Sequence, residues 1–228
     1  MFPSHDRVEF GELALGYQHH DALWWKRTKN REGEITEKER EETLTFFGDM
    51  FYRLAKQMDE FLKNIQSPSG EQIILDLGCG SGQFTYFARG LGYKTVTVDA
   101  NQESDNSPFT DENHFIGRTD KELNFTYEDG ERVFFDVICS FEHLEHIQKE
   151  NLDTFMANMK RHSKPGTLLI LTASLWEYEG EQGHVHCTVE PKEFWWNLLN
   201  QYGFKIIANP PFLINRTGAS TEIFAIKT

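Results

Sequence analysis

Residues 140–147, Ser-Phe-Glu-His-Leu-Glu-His-Ile, set two carboxylates and an imidazole, Glu142, Glu145 and His146, at positions i, i+3 and i+4. A helix beginning near Glu142 places all three on one face. Such a face suits a hard or borderline divalent cation, Mg²⁺, Mn²⁺, Fe²⁺ or Zn²⁺, with no thiolate required. A histidine pair, Gly183-His184-Val-His186, follows downstream, and either imidazole can complete the set. The chemistry this permits is activation of an alcohol, a poor nucleophile because it ionises far above neutrality. A bound cation lowers that pKa and fixes the oxygen in line with its target. His186 or His143 is then available to take the proton, with Glu142 a further catalytic candidate.

A second constellation lies upstream in Ile73-Ile-Leu-Asp-Leu-Gly-Cys-Gly-Ser-Gly-Gln-Phe84, a buried strand entering a glycine turn and then a helix. Gly78, Gly80 and Gly82 allow backbone conformations closed to other residues and close approach by a ligand. A dinucleotide site wants G-x-G-x-x-G, but Gln83 stands where the third glycine belongs. The Asp76 carboxylate beside the turn suits a cationic amino group better than a diphosphate. Asp99 ends the next strand, where a carboxylate can accept both hydroxyls of a ribose. The ligand indicated carries a ribose and an amino-acid tail.

The string D-L-G-C-G-S-G followed by T-V-T-V-D-A resembles the first two motifs of class I S-adenosylmethionine-dependent methyltransferases, over roughly residues 70–228. The resemblance implies a seven-stranded sheet, a glycine loop for the methionine part of S-adenosylmethionine and a second-strand acid for its ribose. Carried over, the cofactor contacts are Asp76, Gly78, Cys79, Gly80, Gly82, Gln83 and Phe84, then Asp99 and Ala100, and Ser140 at the end of the fourth strand. Asp120 matches the family's adenine-binding acid only with a slip. The E-x-x-E-H arrangement with a later His resembles two groups, the ubiquinone-pathway O-methyltransferases and the small-RNA 3′-terminal 2′-O-methyltransferases. The latter implies metal ligands Glu142, Glu145, His146 and either His184 or His186, gripping neighbouring substrate hydroxyls. The same Glu-His pair occurs in members of the fold with no metal, where it packs or caps locally, and both readings stand at this point.

The elements that must position these residues follow from periodicity. Strands are expected at Ile73–Leu77, Thr95–Asp99, His114–Gly117, Phe135–Ser140, Thr167–Thr172, Phe204–Ala208 and Ile223–Ile226, with helices at Gln83–Gly90, Leu144–His162 and Pro191–Tyr202. Alternating strands and helices predict an α/β, Rossmann-like, mostly parallel seven-stranded sheet with helices on both faces. Residues 102–113 read as a loop. Leu44, Phe47, Phe51, Leu54, Met58 and Leu62 recur at spacings of three and four, predicting an amphipathic helix over 36–65, broken near Gly48. Residues 1–69 are thus expected to form an N-terminal helical or lid segment and 70–228 the S-adenosylmethionine-binding domain.

A net charge of −13 argues against a broad nucleic-acid surface, which needs clustered Lys and Arg. The expected partner is a small-molecule acceptor. No stretch approaches the roughly 20 apolar residues that span a bilayer, and MFPSHDRVEFGELALGY lacks the basic-then-apolar order expected of a secretory signal. Three cysteines do not make a disulfide framework. A cytoplasmic location is expected. Trp24, Trp25, Trp176, Tyr178, Trp195 and Trp196 are candidates for a substrate lid as well as for ordinary packing. O-methylation of a sugar, a nucleotide-linked sugar or a catechol-like acceptor fits these features. RNA 3′-terminal 2′-O-methylation and a non-catalytic cofactor-binding module are the alternatives, and the oligomeric state is left open.

Overall fold

The computed structural model describes residues 9–10, 37–65, 72–177, 179–180, 183–209, 211–212, 214 and 220–228. The apolar runs become seven strands of one sheet: β1 (Ile73–Leu77), β2 (Lys94–Asp99), β3 (His114–Ile116), β4 (Phe135–Ser140), β5 (Ser163–Ser174), β6 (Phe204–Ile206) and β7 (Ser220–Lys227). Their order across the sheet is β6-β7-β5-β4-β1-β2-β3. β1 to β5 pair in parallel, whereas β7 runs antiparallel to both β5 and β6. This is the Rossmann-like, mostly parallel fold that the strand and helix alternation predicts.

Side chains leave a strand alternately to its two faces, and here both faces are covered. Ile74, Val137, Ile170 and Phe224 pack on one side with Leu54, Ala55, Met58 and Leu62 of α1 (Glu37–Ile65) and Phe84 and Ala88 of α2 (Gln83–Gly90). Leu75, Leu77, Val98, Ile138, Leu169 and Leu171 pack on the other with Phe155 and Met156 of α3 (Leu152–Arg161) and Trp195 and Leu199 of α4 (Lys192–Gln201). Leu54, Met58 and Leu62 stand four apart and are buried, while Arg53, Lys56, Glu60 and Lys63 face water. Each such buried side chain stabilises the fold by about 1.5–3 kcal/mol.

Two expectations are corrected. α1 runs unbroken through Gly48, because an isolated helical glycine costs only about 1 kcal/mol and the buried stripe outweighs it. The helix expected over 144–162 instead begins at Leu152, preceded by two short 3₁₀ turns at Leu144–His146 and Lys149–Asn151. Between those turns Ile147 is extended, with ψ 125°. Glu142, Glu145 and His146 therefore do not share one face of an α-helix. The segment read as a loop holds a 3₁₀ turn at Gln102–Asn106. Among the described residues no helix is long and apolar enough to cross a membrane.

Because β1 to β5 are parallel, their C-terminal ends meet at one edge. The turn at 78–82, Asp99, residues 117–120, residues 141–146 and the stretch after Ser174 all emerge there.

Candidate active site

The glycine turn is shaped by what lies against it. Gly78, Gly80 and Gly82 have φ of 75°, 54° and 78°, a region L side chains rarely enter. A Cβ at Gly78 would lie 2.3 Å from the His143 ring, and one at Gly82 would lie 3.0 Å from Thr110 Cγ2. At these two positions the room left by glycine is taken by protein groups. Thr110 belongs to a strap, residues 104–111, held over the turn by a Ser107 hydroxyl that donates to the Ser81 carbonyl at 2.6 Å. The Arg89 guanidinium reinforces the strap, bonding the Phe109 carbonyl at 2.5 Å and Asp111 at 3.3 Å.

Two buried acids flank the turn. Both Asp99 oxygens accept backbone N–H groups, from Gly80 at 2.8 Å and from Asn101 at 2.8 Å, which ties the turn to the end of β2. A carboxylate oxygen can accept two such bonds, so this arrangement is compatible with hydroxyl donors as well. Asp76 is only 2 % exposed and its Oδ1 has no hydrogen-bond partner among the described residues. Burial, and then the nearby Asp99 charge, push its pKa up to about 8. A buried carboxyl with an unmet acceptor calls for a cationic donor. The ammonium group of S-adenosylmethionine meets that requirement, so the residues fit this cofactor.

The other residues expected at the cofactor are distributed unevenly. Cys79 and Ala100 are half-buried at the edge, and Gln83 is buried at the start of α2. Phe84 lies in the core, with its ring centroid 5.0 Å from Phe141 and 6.4 Å from Phe51. The Ser140 hydroxyl donates to the Leu77 carbonyl at 2.7 Å, joining β4 to β1. Asp120 is gripped by Arg118 through Nε at 2.8 Å and Nη2 at 2.5 Å, and by Asn151 at 2.9 Å. Burial opposes its ionisation, but the guanidinium wins and holds its pKa below the usual value.

On the β4–β5 side the chain turns sharply. Glu142 has φ 49° and is the one non-glycine residue with positive φ among those described. Its side chain is exposed, and its N–H donates to Thr172 Oγ1 at 2.8 Å. His143 points back under the turn, buried against Gly78, with Nε2 2.7 Å from Thr119 Oγ1. Glu145 is 1 % exposed, and its Oε2 has no hydrogen-bond partner among the described residues. Burial, then the Glu142 charge, push its pKa up to about 8, while backbone N–H bonds including that of Ser174 act in the opposite direction.

Glu145, His146 and His186 each bring one ligand atom to within 4.8 Å of the others. The two imidazole rings meet edge to face at 4.9 Å. His146 Nδ1 lies 2.9 Å from the Val185 carbonyl, and His186 Nδ1 lies 2.6 Å from the Trp176 carbonyl. A carbonyl only accepts, so Nδ1 carries the proton in both rings and Nε2 carries the lone pair. The segment bearing His186 is clipped down by Thr188, whose N–H reaches the Glu145 carbonyl at 2.9 Å and whose hydroxyl reaches Ile147 O at 2.6 Å. Glu142 stands outside this trio, near enough to act on Glu145 through its charge. His184 lies on a two-residue strand, with its side chain outside the described residues, as are Trp24, Trp25 and Tyr178.

Residues 46–209 match a family described as a methyltransferase domain. The chain belongs to that methyltransferase family. The chain is similar to ubiquinone biosynthesis O-methyltransferases, 30% identical over 105 residues to that of Rickettsia conorii and 28% identical over 103 residues to that of Rickettsia typhi. Each match spans 43% of this chain but only 34% and 39% of those proteins. Among solved structures, a TehB-like S-adenosylmethionine-dependent methyltransferase from Corynebacterium glutamicum superposes with TM-score 0.57 at 15% identity, covering 87% of this chain and 100% of that one. Magnesium protoporphyrin IX methyltransferase from Synechocystis, with bound S-adenosylmethionine, gives TM-score 0.56 at 11% identity over 91% and 90%. Both likenesses concern the fold.

Several parts of this methyltransferase's edge escape inspection of the sequence. The carbonyls of Val185 and Trp176 orient the histidines, and backbone atoms carry no residue-type signal. His114, buried with Nδ1 2.9 Å from Thr97 Oγ1 and Nε2 2.8 Å from Ser104 Oγ, anchors the strap to β2. Thr172 passes in the sequence as an ordinary β-branched strand residue.

Proposed function

We propose that this methyltransferase O-methylates a hydroxyl of a small-molecule acceptor held at a divalent cation by Glu145, His146 and His186. The observation that carries this reading is the convergence of those three side chains, with Nδ1 of both histidines bonded to backbone carbonyls so that Nε2 keeps its lone pair. Orientation of ligand histidines through their second nitrogen is a common property of metal centres. The hydroxyl acceptor is supported by the likeness to O-methyltransferases, and the charge of −13 weighs against RNA.

S-adenosylmethionine supplies an electrophilic methyl group when bound, and the cation supplies Lewis acidity toward an acceptor oxygen. The chain's residues divide the remaining work. Asp76, in ionised form, holds the amino group of the cofactor, and Asp99 orients the ribose from the end of β2. Glu145 contributes a buried carboxylate whose unmet Oε2 is satisfied by a cation. With His146 and His186 engaged through Nε2 and His143 packed under Gly78, the exposed Glu142 carboxylate is the group left to accept the acceptor's proton. An acceptor with neighbouring hydroxyls, a sugar, a nucleotide-linked sugar or a catechol-like ring, suits such a centre.

The test combines metal and activity. Calorimetric titration with Mn²⁺ is expected to show one site in the parent protein and none in Glu145→Ala. Transfer of labelled methyl to a panel of polyols and catechols is expected to fall with a chelator and return with Mn²⁺. Equal metal content in the parent and in Glu145→Ala would sink the chelation reading.

A further inference from the structure

We propose that Thr172 is a positioning residue that sets the Glu142 carboxylate against the metal centre, an inference that rests on the chelation reading above. Glu142 adopts φ 49°, a backbone conformation that is strained for a non-glycine residue and persists only where the surroundings enforce it. The enforcing contact is specific. Thr172, 1 % exposed near the C-terminal end of β5, accepts the Glu142 N–H at Oγ1 over 2.8 Å. Two residues on, Ser174 leaves the same face of β5, and its backbone lies near enough to Glu145 to favour the ionised carboxyl.

Without the Thr172 hydroxyl, the Glu142 N–H loses the acceptor that ties it to β5. Relaxation toward negative φ swings the Glu142 side chain away from Glu145. The consequence falls on the cation: a second carboxylate beside the trio strengthens attraction for a dication, and its displacement weakens binding. Supporting residues of this kind typically change metal affinity by roughly 10–100-fold. Neither the hydroxyl nor its bond to Glu142 is needed for the pairing of β5 with β4 and β7, which uses backbone groups.

The experiment compares the parent protein with Thr172→Val, Thr172→Ser and Glu142→Gln by calorimetric titration with Mn²⁺ alone, with thermal melting alongside. Thr172→Val is expected to bind Mn²⁺ about tenfold more weakly, Thr172→Ser to stay within about twofold of the parent, and Thr172→Val combined with Glu142→Gln to lose no more than Glu142→Gln alone. Folding is monitored by the melts, and the serine variant separates the hydroxyl from the packing of the methyl group. Parent-like affinity in Thr172→Val, or equal weakening in the serine and valine variants, overturns the inference while leaving the trio intact. Failure of the parent itself to bind Mn²⁺ overturns both.

Discussion

The two halves of the candidate site are built in different ways. On the β1–β2 side, the site is local: Asp76, the glycine turn and the start of α2 are contiguous, and bonds from Gly78 and Cys79 to the Val98 carbonyl and from Gly80 to Asp99 close the arrangement. On the β4–β5 side, the site is assembled from afar, since the bond orienting His146 spans 39 residues and the Thr188 hydroxyl bond that clips the same segment spans 41. The first half is constrained by backbone conformation, the second by which carbonyl faces which ring. The halves touch at His143, which comes from the second and fills the space left by Gly78 in the first. The two sides are joined by that packing contact and by the Ser140 hydroxyl bond to the Leu77 carbonyl.

The comparison is most severely tested at that contact. Gly78→Ala puts a Cβ 2.3 Å from the His143 ring at φ 75°, and it is expected to cost about 3 kcal/mol or more and to abolish S-adenosylmethionine binding. Addition of His143→Ala should recover part of the stability in thermal melts, whereas a fully stable single variant would show that the ring moves aside freely.

Separation of the halves is tested by His186→Ala. It is expected to weaken Mn²⁺ binding more than about 100-fold and to leave S-adenosylmethionine affinity within about twofold, because no polar contact with the glycine turn is lost. A parallel fall in both affinities, read by calorimetry, would mean that the halves are energetically one site.

A subtler effect concerns protons. Asp76, raised from 3.8 to about 8, stays protonated in the fold while the unfolded chain has already released its proton. Over that window the native state binds more protons, so the stability of the cofactor-free protein falls as pH rises from about 4 toward 8. Glu145, raised from 4.5 to about 8, acts in the same direction. Ionised Asp76 is what pairs with the ammonium, so S-adenosylmethionine affinity should rise by roughly 10–50-fold between pH 6 and pH 8. Asp76→Asn should bind more weakly with a flat profile over that range, and a parent profile that is also flat would remove Asp76 from the contact.

The smallest expected effect lies at the strap. Ser107→Ala removes the 2.6 Å bond to Ser81 and should cost about 1 kcal/mol in thermal unfolding. Cofactor dissociation, followed by stopped flow, should quicken a few-fold.

Legibility in the sequence followed the same division. The seven strands were readable because apolar runs covered on both faces need long stretches of β-branched and aliphatic residues. The glycine turn was readable because three positive φ angles demand a residue type. The helix expected from Glu142 was not there. A pattern of i, i+3 and i+4 is only a geometric permission, and the Thr172 hydroxyl captures the N–H of Glu142 while the chain turns back through φ 49°. Asp120 shows the same limit, since its two-residue spacing from Arg118 does not announce that Asn151 will also grip it.

What the amino-acid order determined alone was the alternation of strand and helix, the bend at 78–82 and the acids on either side of it. These depend on local conformational preference and on which residues must leave water. Tertiary structure alone decided that Glu145, His146 and His186 converge, that Glu142 lies beside this trio but not in it, and that His143 turns inward. Those outcomes rest on bonds between groups dozens of residues apart, half of them backbone atoms identical at every position.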